Sequence, residues 1–282
     1  MNIIEAIFLG IIQGLTEFLP ISSTGHLTVT GKLMGLISST NPERWTSFIA
    51  VTQLGTLIAV LIYFWFDIWD ISFSFLRENF KKRVPFQEQS LHSKLGWFII
   101  IGTIPVVIIG LLFKDVIEGA FTKNLTVIAT SLIALALILA IAEALGKFRK
   151  ELKDLKWYDA LIIGFAQTMA LIPGSSRSGT TITAGLFLGL KRETAARFSF
   201  LLSIPAVLAS GLLEFYEALE YLSATQMVNL ITATIFAAIS GYFTIEFLLK
   251  FLKNNSTYLF IFYRIFLGIA IFILIWNNVI NP

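Results

Sequence analysis

Two short stretches hold most of the residues able to do chemistry. The first reads Gln13-Gly-Leu-Thr-Glu17-Phe-Leu-Pro20-Ile-Ser22-Ser23-Thr24-Gly25-His26, the second Pro173-Gly174-Ser175-Ser176-Arg177-Ser178-Gly179-Thr180-Thr181. Gln13 and Glu17 stand four apart, so on a helix they share one face. Ser22, Ser23 and Thr24 precede a short helical pattern, where hydroxyls cap and unpaired N–H groups point outward. The second stretch opens a helix in the same manner. Two helix N-termini, glycines, clustered hydroxyls and an arginine make an anion site, and phosphate is the anion that suits it best. Glu17 then reads as base, orienter or metal ligand, and Ser23 or His26 as the attacking group or the activator of a water.

Structural readings compete with this chemistry. Ser/Thr/Gly clusters in membrane helices are often packing surfaces, and a salt bridge between Glu17 and Arg177 accounts for both charges without a reaction. An arginine at membrane depth costs upwards of ~2.5 kcal/mol, however, and intramembrane Glu and His are functional candidates for the same reason. Blander readings suffice elsewhere. His92 lies in a basic loop and reads as solvated. Glu143 and Glu246 sit near span ends, within reach of water. Arg264 lies deeper and is expected to pair with Glu246 or a carbonyl, while Glu5 and Asp159 read as caps or packing groups.

The elements that must position these residues are membrane helices. Of 282 residues, 56% are hydrophobic and only 14% charged, with a mean hydropathy of +0.80; a soluble domain carries about 25% charge. Apolar runs at Phe48–Phe66, Leu95–Phe113, Leu125–Leu145, Phe198–Leu213, Val228–Leu249 and Tyr258–Trp276 approach or exceed the roughly 20 residues that cross a bilayer. Cysteine is absent, which excludes disulfides and thiolate metal sites. The apolar N-terminus lacks a basic leading region and carries Glu5, Gln13 and Glu17, which argues against a cleaved signal peptide.

The segments Asn2–Leu36 and Trp157–Leu190 are different: each is a helix, a Pro/Gly/Ser-rich break and a second short helix. Broken backbone cannot face lipid, so both read as re-entrant hairpins. The expected fold is thus all-α, one polytopic membrane domain over 1–282, with six transmembrane helices and two re-entrant hairpins. Charge orients it. Arg77 to Lys94, Lys147 to Lys156, Lys191 to Arg197, and Lys250 with Lys253 fall on one side, far outnumbering Lys32, Arg44, Lys114 and Lys123 on the other. The basic side is cytoplasmic, and both termini face outward. The hairpins also resemble each other: Glu5 to Gly10 matches Asp159 to Gly164, Gln13 matches Gln167, and, after a one-residue gap, Pro20-Ile-Ser22-Ser23 matches Pro173-Gly-Ser175-Ser176. An odd number of spans between the copies makes them inverted, with halves at about 1–145 and 155–282. In such folds broken helices meet near the midplane and form the binding site.

The motifs Glu17-Phe-Leu-Pro-Ile-Ser-Ser-Thr-Gly-His26 and Pro173-Gly-Ser-Ser-Arg-Ser-Gly179 resemble the two signatures of the bacterial undecaprenyl-pyrophosphate phosphatase family, also known for bacitracin resistance, and the likeness runs from Asn2 to about Trp276. It implies removal of the terminal phosphate from undecaprenyl pyrophosphate at the outer face of the bacterial plasma membrane, recycling the cell-wall lipid carrier. By match it implies catalytic roles for Glu17, Ser23, His26 and Arg177. Phosphate contacts are expected from Gln13, Ser22, Thr24, Gly174, Ser176, Ser178 and Thr181. It also implies a divalent cation, Mg2+ or Ca2+, with Glu17 as the candidate ligand; Gln13 stands where relatives can carry a Glu, which weakens a metal role there. The expected partners are the polyprenyl pyrophosphate and membrane lipids, not nucleic acid, and a homodimer is left open. The nucleophile stays open between Ser23, His26 and water. The rival reading is a polyprenyl-phosphate transporter or flippase, since inverted repeats with broken helices are transporter architecture. Such a carrier needs the anion clamp but not the base and nucleophile beside it.

Overall fold

Length and apolarity dictate helices here, because only a helix satisfies the backbone of a lone apolar segment away from water. The structure is a computed structural model that describes residues 1–38, 40–220 and 222–281. In order the α-helices are α1 (Ile3–Glu17), α2 (Ser23–Leu33), α3 (Glu43–Tyr63), α4 (Trp65–Leu76), α5 (Leu91–Leu112), α6 (Lys114–Glu118), α7 (Leu125–Leu145), α8 (Trp157–Thr168), α9 (Arg177–Phe187), α10 (Arg192–Ala218), α11 (Ala224–Asn254) and α12 (Tyr258–Trp276). Six of them, α3, α5, α7, α10, α11 and α12, are long and apolar enough to cross a membrane. Large apolar side chains on the outer surface, such as Phe66, Phe266 and Trp276, suit a lipid surround.

Helix ends follow local chemistry. Asn2 and Glu5 form a capping box on α1, and Ser90, Asn124 and Ser223 cap α5, α7 and α11. The expected runs at Leu125–Leu145 and Tyr258–Trp276 are reproduced as α7 and α12. By contrast α3, α10 and α11 begin several residues before their apolar runs, and the last two also end well beyond theirs. A hydropathy run marks what lipid covers; the helix itself continues into the polar boundary. The short helix α4 was not anticipated.

Small residues set the closest crossings. A Cβ added at Gly10 of α1 would lie 2.3 Å from the Ala233 carbonyl oxygen of α11, and one at Gly164 of α8 would lie 2.4 Å from that of Gly102 in α5. Each broken segment is thereby pinned to a long helix of the other half of the chain. The basic loops gather at one end. There Arg192 pairs with Glu143, Lys253 lies 3.6 Å from Glu193, and the Arg149 and Lys150 amides both donate to Gly189. Glu5 and Asp159 accept from the backbone N–H of Asn2 and Lys156, the capping roles expected of them. His92 is exposed.

Candidate active site

The two breaks meet in the interior. Ser22 and Ser176 are the N-caps of α2 and α9; both are buried at positive φ, 74° and 69°, and their hydroxyls accept from the Gly25 and Gly179 amides. Non-glycine residues in that region cost on the order of 1–3 kcal/mol and persist where the surroundings over-determine them. The shared geometry corrects the sequence register. Ser22 falls opposite Ser176 rather than Ser175, and Ser23 opposite Arg177, so no gap is needed. The first residue of each short helix thus carries the candidate nucleophile in one broken segment and the arginine in the other.

Both point to Glu17. Its Oε2 accepts from the Ser23 hydroxyl at 2.7 Å and from Gln13 Nε2 at 2.9 Å, and its Oε1 accepts from Arg177 Nη2 at 2.8 Å. The carboxylate is 4% exposed and the guanidinium 13%. The salt bridge of the competing structural reading is therefore present, with a serine on the same carboxylate. Arg177 Nη1 also donates to the Ser199 carbonyl at 3.3 Å, while its Nε is buried without a partner among the described residues.

Glu17, Ser22, Ser23, Thr24, Gly174, Ser176 and Arg177 line one cavity of about 300 Å³, which extends past Gln53 to Lys114, Glu118 and Glu214. Of the other expected residues, Gln13 stands behind Glu17. The Ser178 hydroxyl donates to the Leu19 carbonyl at 3.0 Å, tying one break to the other, and Thr181 bonds Ser199 at 2.6 Å. These three hold the site from outside the cavity wall. His26 is also off the wall: Nδ1 lies 2.7 Å from the Ser22 carbonyl oxygen and Nε2 2.7 Å from the Tyr263 hydroxyl, against whose ring it stacks. A carbonyl can only accept, so Nδ1 carries the proton and Nε2 accepts from Tyr263.

Of the residues that support the site, sequence reasoning named Arg264, with a carbonyl as one of its two expected partners, and missed several others. Arg264 is wholly buried and pairs with carbonyls rather than Glu246, whose partner is Lys250. It donates to Ser175 at 3.0 Å, Leu132 at 3.2 Å, and Pro20, Gly174 and Ser131 at 3.4 Å, so one guanidinium spans both breaks and α7. A Cβ at Gly179 would stand 2.7 Å from Arg264 Nη1, which explains a glycine inside that helix turn. Glu118, Glu214 and Glu217 form an acidic trio at the far end of the cavity, already joined by Lys114, which lies 2.5 Å from Glu217 and 3.4 Å from Glu118. Ser199 and Tyr263 complete the group. Apart from the neighbours Lys114–Glu118 and Glu214–Glu217, these contacts join different elements of the chain, and no local pattern marks them.

Around Glu17 the donor set does not fit a divalent ion. Both carboxylate oxygens already accept from hydrogen-bond donors, one of them a guanidinium, whereas Mg2+ and Ca2+ require a shell of free oxygens.

The family described as "Bacitracin resistance protein BacA" matches residues 6–270. A protein of Syntrophobacter fumaroxidans named undecaprenyl-diphosphatase is 57% identical over 99% of both chains. Proteins of the same name from Chlorobium phaeobacteroides and Chloroherpeton thalassium are 51% and 52% identical over 99% and 95% of each chain. With both signature stretches folded into one cavity and the likeness spanning nearly the whole length, the chain belongs to the bacitracin resistance protein BacA family.

Proposed function

We propose that this protein hydrolyses undecaprenyl pyrophosphate to undecaprenyl phosphate and inorganic phosphate, recycling the lipid carrier of cell-wall synthesis and so conferring bacitracin resistance. The observation that carries the reading is the single carboxylate, Glu17, holding both the Ser23 hydroxyl and the Arg177 guanidinium on the wall of one cavity. Phosphoryl transfer is mostly positioning and charge stabilisation, and this site offers both. Arg177, with the unpaired amides opening α2 and α9, neutralises the terminal phosphoryl group. Ser23 Oγ attacks phosphorus and passes its proton to Glu17. The bond to the bridging oxygen breaks, Glu17 returns the proton to that oxygen, and lipid monophosphate leaves, so that Glu17 is again a carboxylate. Water then attacks the phosphoserine, losing a proton to Glu17, and Ser23 Oγ departs and is reprotonated as phosphate is released. His26, whose ring nitrogens are both engaged, acts in this scheme by holding the start of α2. A divalent ion, if the reaction uses one, is carried by substrate oxygens and water, since Glu17 fits it poorly.

The same reading includes the architecture. Supporting an inverted repeat of two re-entrant hairpins are the matched caps at Ser22 and Ser176 and the reciprocal crossings of α1 on α11 and α8 on α5. Supporting an outward-facing site in the bacterial plasma membrane are the basic loops at one end and the cavity's extension toward Lys114 and Glu214 at the other.

The test is phosphate release from undecaprenyl pyrophosphate by purified protein, beside Glu17→Gln, Ser23→Ala and Arg177→Met. Losses of about 100- to 10,000-fold in folded variants are expected. Lipid binding without phosphate release by the parent, together with lipid transfer across vesicles, would replace the phosphatase with a carrier.

A further inference from the structure

The substrate proposed above has a long tail as well as a head, and the cavity around Glu17 accounts only for the head. A second hollow of about 690 Å³ lies between α4, α5 and α10. Its volume falls within the ~300–1,000 Å³ of ligand sites. Its walls are almost wholly apolar, among them Ile71, Phe75, Ile100, Ile104, Leu201 and Ile204. Of its two hydroxyl residues, Ser72 and Thr103, the latter spends its proton on the Ile99 carbonyl of its own helix at 2.7 Å.

The two hollows run on from one another along the same two helices. On α5 the groove takes Gly96 to Ile108, the head-group cavity takes Val106 to Leu111, and Val107 lines both. On α10 the groove ends at Pro205 and the cavity begins at Ala206. At this junction each helix carries an internal proline, Pro105 and Pro205. Proline removes a helix hydrogen bond and kinks the axis. The groove follows α5 for about 18 Å at ~1.5 Å per residue, more than half the ~30 Å apolar depth of a bilayer.

We infer that the α4–α5–α10 groove holds the isoprenoid tail of the polyprenyl pyrophosphate while its head sits at Glu17, Ser23 and Arg177. The inference rests on the phosphatase reading for its substrate class and on the continuity at Val107 for its occupant. An unrelated bilayer acyl chain fits the groove's polarity, but nothing would tie it to the head-group cavity. The tail enters the groove from lipid, and its units beyond the groove's far end, near Gly96, return to lipid.

The test compares undecaprenyl and geranyl pyrophosphates as substrates of the full-length protein carrying Ile100→Trp or Ser72→Trp, which fill the far half of the groove. Ile138→Trp, on the exposed face of α7 outside the groove, is the control. The groove variants should raise KM for the long substrate about tenfold, equivalent to ~1.4 kcal/mol, with geranyl kcat/KM within about twofold of the parent. An unchanged ratio between substrates, or equal loss of both, overturns the inference while leaving the phosphatase intact. A second measurement uses undecaprenyl phosphate bearing a mid-tail diazirine. It should label α4 and α5 peptides and be competed by undecaprenyl pyrophosphate but not by phospholipid. Labelling of this kind in a protein that releases no phosphate keeps the groove and removes the phosphatase; labelling that phospholipid competes away removes the groove.

Discussion

Arg264 gives the sharpest test of how the site is held. Arg264→Met keeps much of the side chain's length and apolar stem but removes every donor. The Ser131 and Leu132 carbonyls belong to α7 and keep their helix partners, but Pro20, Gly174 and Ser175 lie in the breaks, where Arg264 is their only donor among the described residues. Leaving a buried carbonyl unpaired costs about 1–3 kcal/mol. Two of the three bonds are long, at 3.4 Å, and weigh toward the low end. The expected loss is therefore about 3–5 kcal/mol, a large share of the ~5–15 kcal/mol that holds a typical domain. The loss should appear in chemical denaturation in detergent followed by circular dichroism. Turnover should fall as well, because Ser175 and Pro20 are the backbone on which Ser176, Arg177 and Ser22 are mounted. Arg264→Lys, with a charge but no planar fork, should recover only part of both. The reasoning is refuted if Arg264→Met denatures within about 0.5 kcal/mol of the parent and turns over at the parental rate, since the guanidinium would then not be joining the breaks.

Two further substitutions probe the same assembly. Gly174 has φ +86°, and a Cβ there would lie 2.4 Å from the Ile128 carbonyl oxygen. Gly174→Ala should therefore cost about 2–5 kcal/mol from left-handed strain and overpacking together, and a denaturation midpoint equal to the parent's would contradict it. Tyr263→Phe keeps the ring stacked on His26 and removes one hydrogen bond. About 1 kcal/mol of stability should go, with kcat falling far less than in Ser23→Ala. Loss of all turnover in this variant would show Tyr263 taking part in the reaction rather than holding His26.

What the sequence by itself determined follows from short-range rules. Apolar runs longer than a bilayer is thick specify spans wherever they occur, and two of the six, α7 and α12, were bounded correctly to the residue. The i, i+4 spacing of Gln13 and Glu17 specified their contact, since helix geometry alone brings them together at 2.9 Å. Hydroxyl runs before helical patterns pointed to capped helix starts in both stretches, but which serine caps was decided in the fold: Ser22 and Ser176 do, and Ser23 and Thr24, expected before the helix, lie inside α2. Arginine and glutamate in apolar surroundings pointed to one another because neither charge is tolerable alone there, and Glu17 and Arg177, 160 positions apart, do meet. Tertiary structure decided which neighbours each group faces. His26 stood three residues from Ser23, close to it on the helix surface, yet turned toward Tyr263, because α12 packs where the imidazole emerges and supplies a hydroxyl and a ring to hold it. Arg264 joined both breaks, the Glu118–Glu214–Glu217 trio assembled from the two helices α6 and α10, and the apolar groove opened between α4, α5 and α10. Each of these depends on the crossings of helices distant in the chain, and those crossings are set by residues such as Gly10, Gly102 and Gly164, which lack a side chain where another backbone approaches and whose partners no local pattern names.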